Sequence, residues 1–173
     1  METPKDTIEE MPLMYETEND IPKAERTELI ALINQRLADI VDLQMQLKQA
    51  HWNVKGPHFI GLHELFDNIA EEVESYVDLT AERIVQLGGI AQGTVREAAA
   101  HSRLDEYPRE IADGSAHVEA VARALSTFGR EARLTIDEAD KLGDADTADL
   151  FTEVSRGIDK WLWFVEAHSQ AAK

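Results

Sequence analysis

Residues 49–89 read QAHWNVKGPHFIGLHELFDNIAEEVESYVDLTAERIVQLGG, and this stretch decides the fold. The Gly56-Pro57 pair ends one helical pattern, and Gly88-Gly89 ends the next. A helix is therefore predicted from about His58 to Leu87. Thirty residues of α-helix measure about 45 Å, a length typical of helical bundles and coiled coils.

Another long helix is predicted before this stretch, from Ala24 to about Asn53. Its evidence is a set of mostly apolar residues that recur at spacings of three and four and so share one face: Leu29, Ile33, Leu37, Ile40, Gln44, Leu47 and His51.

Two more long helices are predicted after the stretch, and a long connection precedes them. They run from Asp113 or Ser115 to about Leu142, and from Asp144 or Asp146 to about His168, with Asp suited to the N-cap. A connection of about 25 residues without structure is unusual in a compact domain, and residues 94–100 have the composition of a short helix. No strand alternation is evident. The sequence predicts an all-α four-helix bundle with a short helix in the long crossover between helices two and three.

The composition fits one globular domain and excludes several classes of site. The chain has 173 residues, of which 43% are hydrophobic. No apolar run approaches the roughly 20 residues that a membrane span needs. The N-terminus has no basic and apolar signal pattern, so a cytoplasmic location is expected, with nucleoid association as an option. Because cysteine is absent, disulfides, thiolate metal sites and Cys nucleophiles are excluded.

Negative charge is concentrated at the N-terminus of a chain whose formal charge is −17. Residues 1–22 carry seven acids and one Lys and are interrupted by Pro12 and Pro22. We interpret residues 1–22 as an acidic, flexible tail and residues 23–173 as the bundle. An acidic surface attracts cations and repels phosphate backbones, although solubility alone also explains it.

A set of imidazoles and carboxylates lies at the end of helix one and along helix two: His51, His63, Asp67, Asp78 and Glu82. This mixture suits Fe(II), Mn(II) or Zn(II) better than Ca(II). On a wheel of about 100° per residue, the four members on helix two fall within one side of the helix. Exposed acids and hydrogen-bonded histidines on an amphipathic helix remain the alternative interpretation.

One copy of helix two cannot bring all of these ligands to one metal. Asp67 and Asp78 are 11 residues apart, or about 16 Å along the axis. An antiparallel copy of the helix can join them, with a two-fold axis near residues 72 and 73, and gives two identical sites across the dimer. No His is preceded at three residues by Glu, so the Glu-x-x-His motifs of intrachain di-iron bundles are absent.

The quoted stretch closely resembles the signature of the Dps family, the mini-ferritins also called DNA-binding proteins from starved cells. The order His, 11 residues, His, three, Asp, ten, Asp, three, Glu matches that family's ferroxidase ligands at His51, His63, Asp67, Asp78 and Glu82. The similarity continues through GTVREAAAHSRLDEYP, GDADTAD and RGIDKWLWFVEAH. The resemblance implies a ferritin-like bundle, a dodecameric shell built from two-fold dimers, and ferroxidase sites at dimer interfaces.

The resemblance also implies a chemistry. Fe(II) is oxidised, preferentially by hydrogen peroxide, and is stored as a ferric oxide mineral, which protects DNA from oxidative damage. His51, His63 and Asp67 are expected to hold one iron with the partner's Glu82, and Asp78 a second, weaker iron. Trp52 is a candidate for electron exchange with the site or an ordinary packing residue. The family builds an acidic pore for iron entry at a position that corresponds here to Asp144, Asp146 and Asp149. These acids could equally cap the fourth long helix.

The tail departs from the Lys-rich tail of many DNA-binding members. Because backbone attraction supplies most non-specific affinity, an acidic tail makes direct DNA binding doubtful. Two other function classes remain open. One is a helical DNA-compacting structural protein whose metal only staples the dimer; the other is a di-metal oxygenase, for which the Glu-x-x-His ligands are missing. Retention of hundreds of irons per particle would indicate iron storage and would count against both the structural protein and the oxygenase.

Overall fold

The computed structural model describes residues 13–171, which form five α-helices and no extended strand. The helices are α1 Lys23–Asn53, α2 Phe59–Gln86, α3 Val95–His101, α4 Gly114–Lys141 and α5 Ala145–Gln170. Four are long and α3 lies within the crossover, so the predicted all-α, ferritin-like architecture is confirmed. None of the helices in this part of the chain is long and apolar enough to cross a membrane.

The core lies between two helical hairpins, α1 with α2 and α4 with α5. Each long helix contributes fully buried side chains, such as Leu37, Phe66, Phe128 and Phe151. Gly129 lies where α4 meets α5, and a Cβ there would be 3.2 Å from Ile158 Cγ2. The glycine in the middle of a helix therefore allows close approach of the two helices, which offsets its low helix propensity.

The N-termini of α4 and α5 follow the expected capping chemistry. Asp113 accepts hydrogen bonds from the backbone N–H groups of Ser115 and Ala116 at the start of α4. Asp144 accepts from the N–H of Thr147 at the start of α5. Both are predicted N-cap residues and satisfy donors that no helical carbonyl can reach. Gly88 follows α2 at a φ of 88°, which L side chains rarely adopt.

The crossover between α2 and α4 is held in place by polar side chains of α1. These side chains bind crossover groups: Asp39 accepts from Arg103 N–H at 2.8 Å, Asp42 accepts from Ser102 Oγ at 2.6 Å, and Gln46 donates to the Asp105 carbonyl at 3.0 Å. Burial raises the pKa of Asp39 even though Arg103 and Arg36 oppose that shift. The long connection is thus an ordered part of the bundle.

Residues 13–22 lie along the bundle before α1 begins. The N–H of Tyr15 donates to the Gly88 carbonyl at 2.8 Å. The Arg26 guanidinium donates to the carbonyls of Ile21 at 3.0 Å and Leu87 at 2.9 Å. Residues 1–12 of the predicted tail lie outside the described residues, and the division of the chain at residue 22 stays a prediction.

Candidate metal centre

Two histidines from neighbouring helices stack on each other at one end of the bundle. His51 lies in the last turn of α1, and His63 lies in the second turn of α2. Their ring centroids are 3.8 Å apart and their planes are inclined by 23°. The two imidazoles of the predicted ligand set are therefore brought together within one chain.

Each of these rings is fixed by the backbone of the other helix. His51 Nδ1–H donates to the carbonyl of His63 at 2.8 Å, and His63 Nδ1–H donates to the carbonyl of His51 at 2.8 Å. A carbonyl can only accept, so both Nδ1 atoms carry the proton in the neutral rings. Both Nε2 atoms then keep a free lone pair. Such hydrogen bonds behind a metal-binding imidazole fix its tautomer and its orientation.

Asp67 lies one turn after His63 and faces the same pair of rings. Its Oδ1 is 3.9 Å from His51 Nδ1 and accepts a hydrogen bond from Lys48 Nζ at 2.5 Å. The hydrogen bond from Lys48 holds the pKa of Asp67 below its ordinary value. The carboxylate is half-buried and ionised at neutral pH, with one ammonium group competing for it.

Lys48 is the residue of this centre that sequence reasoning missed. It lies three residues before His51, one turn back on the same face of α1. That position shows which residues are neighbours, but it does not show that the ammonium turns towards a carboxylate on α2.

Asp78 and Glu82 lie farther along α2, and both are exposed. Within residues 13–171, no three His, Asp or Glu side chains are placed so that they could hold a metal ion together. The donor set on one chain is thus two free Nε2 atoms and one carboxylate oxygen from Asp67, which is compatible with Fe(II) as substrate but incomplete as a coordination shell.

Exposed apolar side chains surround the candidate ligands. Trp52 is 58% exposed beside His51, and Lys48 Nζ lies 6.0 Å from the centroid of its ring. Phe59 packs against His63 with centroids 5.1 Å apart, and Ile60 and Val85 are also exposed on α2. Ile60 and Val85 fall on the same side of the helix as the ligand residues. This surface combines metal donors with apolar area.

The three acids at the start of α5 do not share one environment. Asp144 is buried and accepts a hydrogen bond from Arg83 Nη2 at 2.7 Å as well as its capping bonds. Despite burial, which opposes the shift, these hydrogen bonds hold its pKa below the ordinary value. Asp146 and Asp149 are exposed. The carboxylate of Asp144 therefore caps α5 and pairs with Arg83, whereas only Asp146 and Asp149 face solvent as the pore prediction requires.

Several known proteins are similar to this chain in sequence and in fold. A family described as ferritin-like domain matches residues 30–173. The DNA protection during starvation protein of Agrobacterium fabrum is 41% identical over 156 residues, which cover 90% of this chain and 96% of that protein. Among solved structures, DpsA14 from Streptomyces coelicolor has a TM-score of 0.87 and 36% identity, with 94% of this chain and 95% of that chain covered.

A second solved structure agrees with the first. The tetragonal form of Mycobacterium smegmatis Dps has a TM-score of 0.87 and 31% identity, and the match covers 92% of this chain and 96% of that chain. The ferritin-like family matches most of the chain, and the Agrobacterium fabrum protein is similar to it over nearly the full length of both proteins. The chain belongs to the Dps family of ferritin-like proteins.

Proposed function

We propose that this protein oxidises Fe(II), preferentially with hydrogen peroxide, at sites between two subunits and stores the product as ferric oxide mineral. Membership of the Dps family supports a general role in iron storage and DNA protection. The observation that carries the finer proposal is the His51–His63 pair, whose Nδ1 atoms are both bound by backbone carbonyls. Two histidines oriented in this way beside an ionised Asp67 form half of a metal site.

The other half is proposed to come from a second copy of α2. Because the missing carboxylates lie on the same exposed helix, an antiparallel copy brings Asp78 and Glu82 of the partner subunit opposite His63 and Asp67. The exposed apolar side chains on that side, Ile60 and Val85, then lose contact with water. Burial of apolar area favours such a dimer by about 25 cal/mol per Å². We propose a dodecamer assembled from these dimers.

Each side chain has a distinct role in this proposal. His51, His63 and Asp67 bind the first Fe(II) with Glu82 of the partner subunit, and Asp78 of the partner subunit positions a second, weaker one. One hydrogen peroxide takes one electron from each of two Fe(II) ions and, with two protons, gives two waters. Placing two metals about 3.5–4 Å apart lets both electrons reach the same peroxide. Lys48 competes with iron for the Asp67 carboxylate, because its ammonium group already binds Oδ1.

Iron entry and DNA protection follow from charge. Asp146 and Asp149 are proposed to attract Fe(II) at an acidic pore, since both carboxylates are exposed at the start of α5. We propose that the cytoplasmic protein protects DNA by consuming iron and peroxide, without coating the duplex, because the chain carries a formal charge of −17. A clear gel shift of duplex DNA at about 150 mM salt without bridging metal would overturn this part.

The test of the proposal is anaerobic loading with Fe(II) followed by hydrogen peroxide, with ferric absorbance as readout. Wild type is expected to consume about one peroxide per two irons, and His51→Ala/Asp67→Ala to lose the fast phase. His168→Ala/Asp137→Ala, which removes the same residue types at exposed positions elsewhere, should behave as wild type. Equal oxidation by wild type and His51→Ala/Asp67→Ala would refute the proposed site.

A further inference from the structure

Tyr76 forms a polar cluster between α2 and α5 that the candidate metal centre does not use. Its side chain is buried, and its hydroxyl donates to Glu72 Oε1 at 2.7 Å. Lys160 of α5 donates to Glu72 Oε2 at 2.8 Å. A Cβ at Gly157 would collide with the Tyr76 hydroxyl, so the glycine provides the space that the pair occupies. The geometry places a phenol in direct contact with a carboxylate.

The cluster lies close to the predicted iron ligands although it faces the opposite way. Tyr76 is two residues before Asp78, and on a helical wheel their side chains point about 160° apart. A helix with its side chains is about 10–12 Å across, so Tyr76 is separated from the ligand face by one helix diameter. Electrons can cross such a distance through protein, so the oxidant itself does not need to reach Tyr76.

We propose that Tyr76 is an oxidisable residue that removes one-electron oxidants formed beside the iron site, with Glu72 as its proton acceptor. The proposal rests on the proposed function, which supplies Fe(II) and hydrogen peroxide. When one Fe(II) gives a single electron to peroxide, the products are Fe(III), hydroxide and a hydroxyl radical. Tyr76 gives one electron to that radical, which becomes hydroxide, and the phenolic proton moves to the Glu72 carboxylate.

The cycle closes with a second Fe(II). This ion gives one electron to the Tyr76 phenoxyl radical, and the proton returns from Glu72 to the phenolate oxygen. The net change is that Fe(II), a hydroxyl radical and one proton become Fe(III) and water. Tyr76 is regenerated, and the second electron of the peroxide reaction is supplied by iron, as in the concerted reaction.

The surroundings favour this proton transfer at Tyr76 over Tyr107, the other buried tyrosine. Tyr107 Oη lies 2.6 Å from Nδ1 of His117, whose side chain is fully buried. Accepting a proton there would create a positive charge without water, which is costly. Burial accordingly lowers the pKa of His117. A proton moved to Glu72 instead neutralises a carboxylate whose side chain is 30% exposed, and the Lys160 ammonium that then loses its partner is 44% exposed to water. No new charge is created in the core, although hydrogen bonds from Lys160 and Tyr76 hold the pKa of Glu72 below its ordinary value against the effect of burial.

Trp161, which follows Lys160 on α5, is a competing electron donor, and Lys160 disfavours its oxidation. Lys160 Nζ lies 4.3 Å from the centroid of the Trp161 ring. An ammonium group in that position stabilises the neutral ring through its electron-rich face. It would repel the radical cation that forms when tryptophan loses an electron. The same Lys160 therefore holds Glu72 in place and favours oxidation of Tyr76 over that of Trp161.

The test compares variants that differ in which tyrosines remain, since the chain has three. Tyr15→Phe removes the exposed tyrosine and serves as the background for Tyr15→Phe/Tyr76→Phe and the matched control Tyr15→Phe/Tyr107→Phe. Rapid freeze-quench EPR follows addition of peroxide to the Fe(II)-loaded protein. A second series generates the oxidant without iron, by flash photolysis of a ruthenium complex with persulfate.

We expect a tyrosyl signal in Tyr15→Phe and in the Tyr107 control, and at least a fivefold lower yield when Tyr76 is replaced. Glu72→Gln, which keeps an acceptor oxygen but not a base, should lower the yield as well. Tyr76→Phe should leave the fast phase of ferric formation unchanged and raise spin-trapped hydroxyl radical at least twofold. A tyrosyl yield that survives Tyr76→Phe in the photochemical series, or none in Tyr15→Phe, overturns the proposal. Ferric formation that is unchanged in His51→Ala/Asp67→Ala would instead refute the proposed function.

Discussion

Replacing Arg83 by Met should destabilise the bundle strongly, because it leaves the buried carboxylate of Asp144 without its ion-pair partner. Arg83 donates to Asp144 at 2.7 Å, to Thr147 Oγ1 at 2.9 Å and to Gln86 Oε1 at 3.1 Å. The side chains of Arg83 and Asp144 are 10% and 1% exposed. Met keeps the length and apolar stem of Arg, so the main loss is the charge and its three hydrogen bonds.

The size of the effect follows from burial. Breaking a buried ion pair by removing one partner costs about 3–5 kcal/mol. We expect the lower end, about 3 kcal/mol, because Thr147 still donates to Asp144 at the cap. For a domain of this size that loss corresponds to a fall in Tm of about 6–12 °C.

The assay is urea and thermal unfolding followed by circular dichroism, with Arg133→Met as matched control. Arg133 also pairs with an aspartate, Asp159 at 2.9 Å, but both side chains are about half exposed. An exposed pair of this kind contributes about 0–1 kcal/mol. Equal losses in Arg83→Met and Arg133→Met would refute the reasoning that burial makes the Arg83–Asp144 pair important.

Three further predictions follow from single contacts. Lys48→Met should tighten anaerobic Co(II) binding about two- to fivefold, since a half-exposed ion pair worth about 0.4–1 kcal/mol is no longer displaced; unchanged or weaker binding by calorimetry would contradict it. Asp144 has a folded-state pKa below its unfolded value, so its stabilisation is present above pH 3.8 and is lost as pH falls through the folded pKa. Asp144→Asn should therefore flatten the fall in the free energy of unfolding at acid pH, and an unaltered fall would count against this assignment. Gly157→Ala should cost about 1–3 kcal/mol because the methyl group collides with Tyr76, and a smaller loss in Gly157→Ala/Tyr76→Phe would identify that collision as the cause.

The helices could be predicted from the sequence because local signals determine their ends. Gly88-Gly89 ends α2, and Asp113 and Asp144 cap α4 and α5, as expected from turn and cap preferences. The buried face of α1 is predicted less accurately. The sequence pattern assigns Gln44 to that face, but Gln44 is only half-buried, whereas the adjacent Leu43 is fully buried. A spacing of three or four residues leaves such a choice open.

Contacts between distant residues could not be predicted in the same way. In the sequence, Asp144 is an equal candidate for capping and for an iron-entry pore. Its buried carboxylate is paired with Arg83, which lies 61 residues earlier. The hydrogen bonds that orient His51 and His63 join two helices through backbone carbonyls. Every residue has a backbone carbonyl, so the sequence does not indicate which one a side chain will bind. The ammonium of Lys48 likewise reaches Asp67 only because α1 and α2 pack side by side.

The central claim, that each iron site needs two subunits, is tested most directly by mixing two inactive variants. His51→Ala/Asp67→Ala keeps one half of the site, and Asp78→Ala/Glu82→Ala keeps the other. When the two are dissociated and reassembled together, half of the dimers are mixed, and each mixed dimer contains one intact site. We predict recovery of about a quarter of the wild-type fast phase of ferric formation with peroxide. Activity that stays at the level of the separate variants would contradict a site shared between subunits.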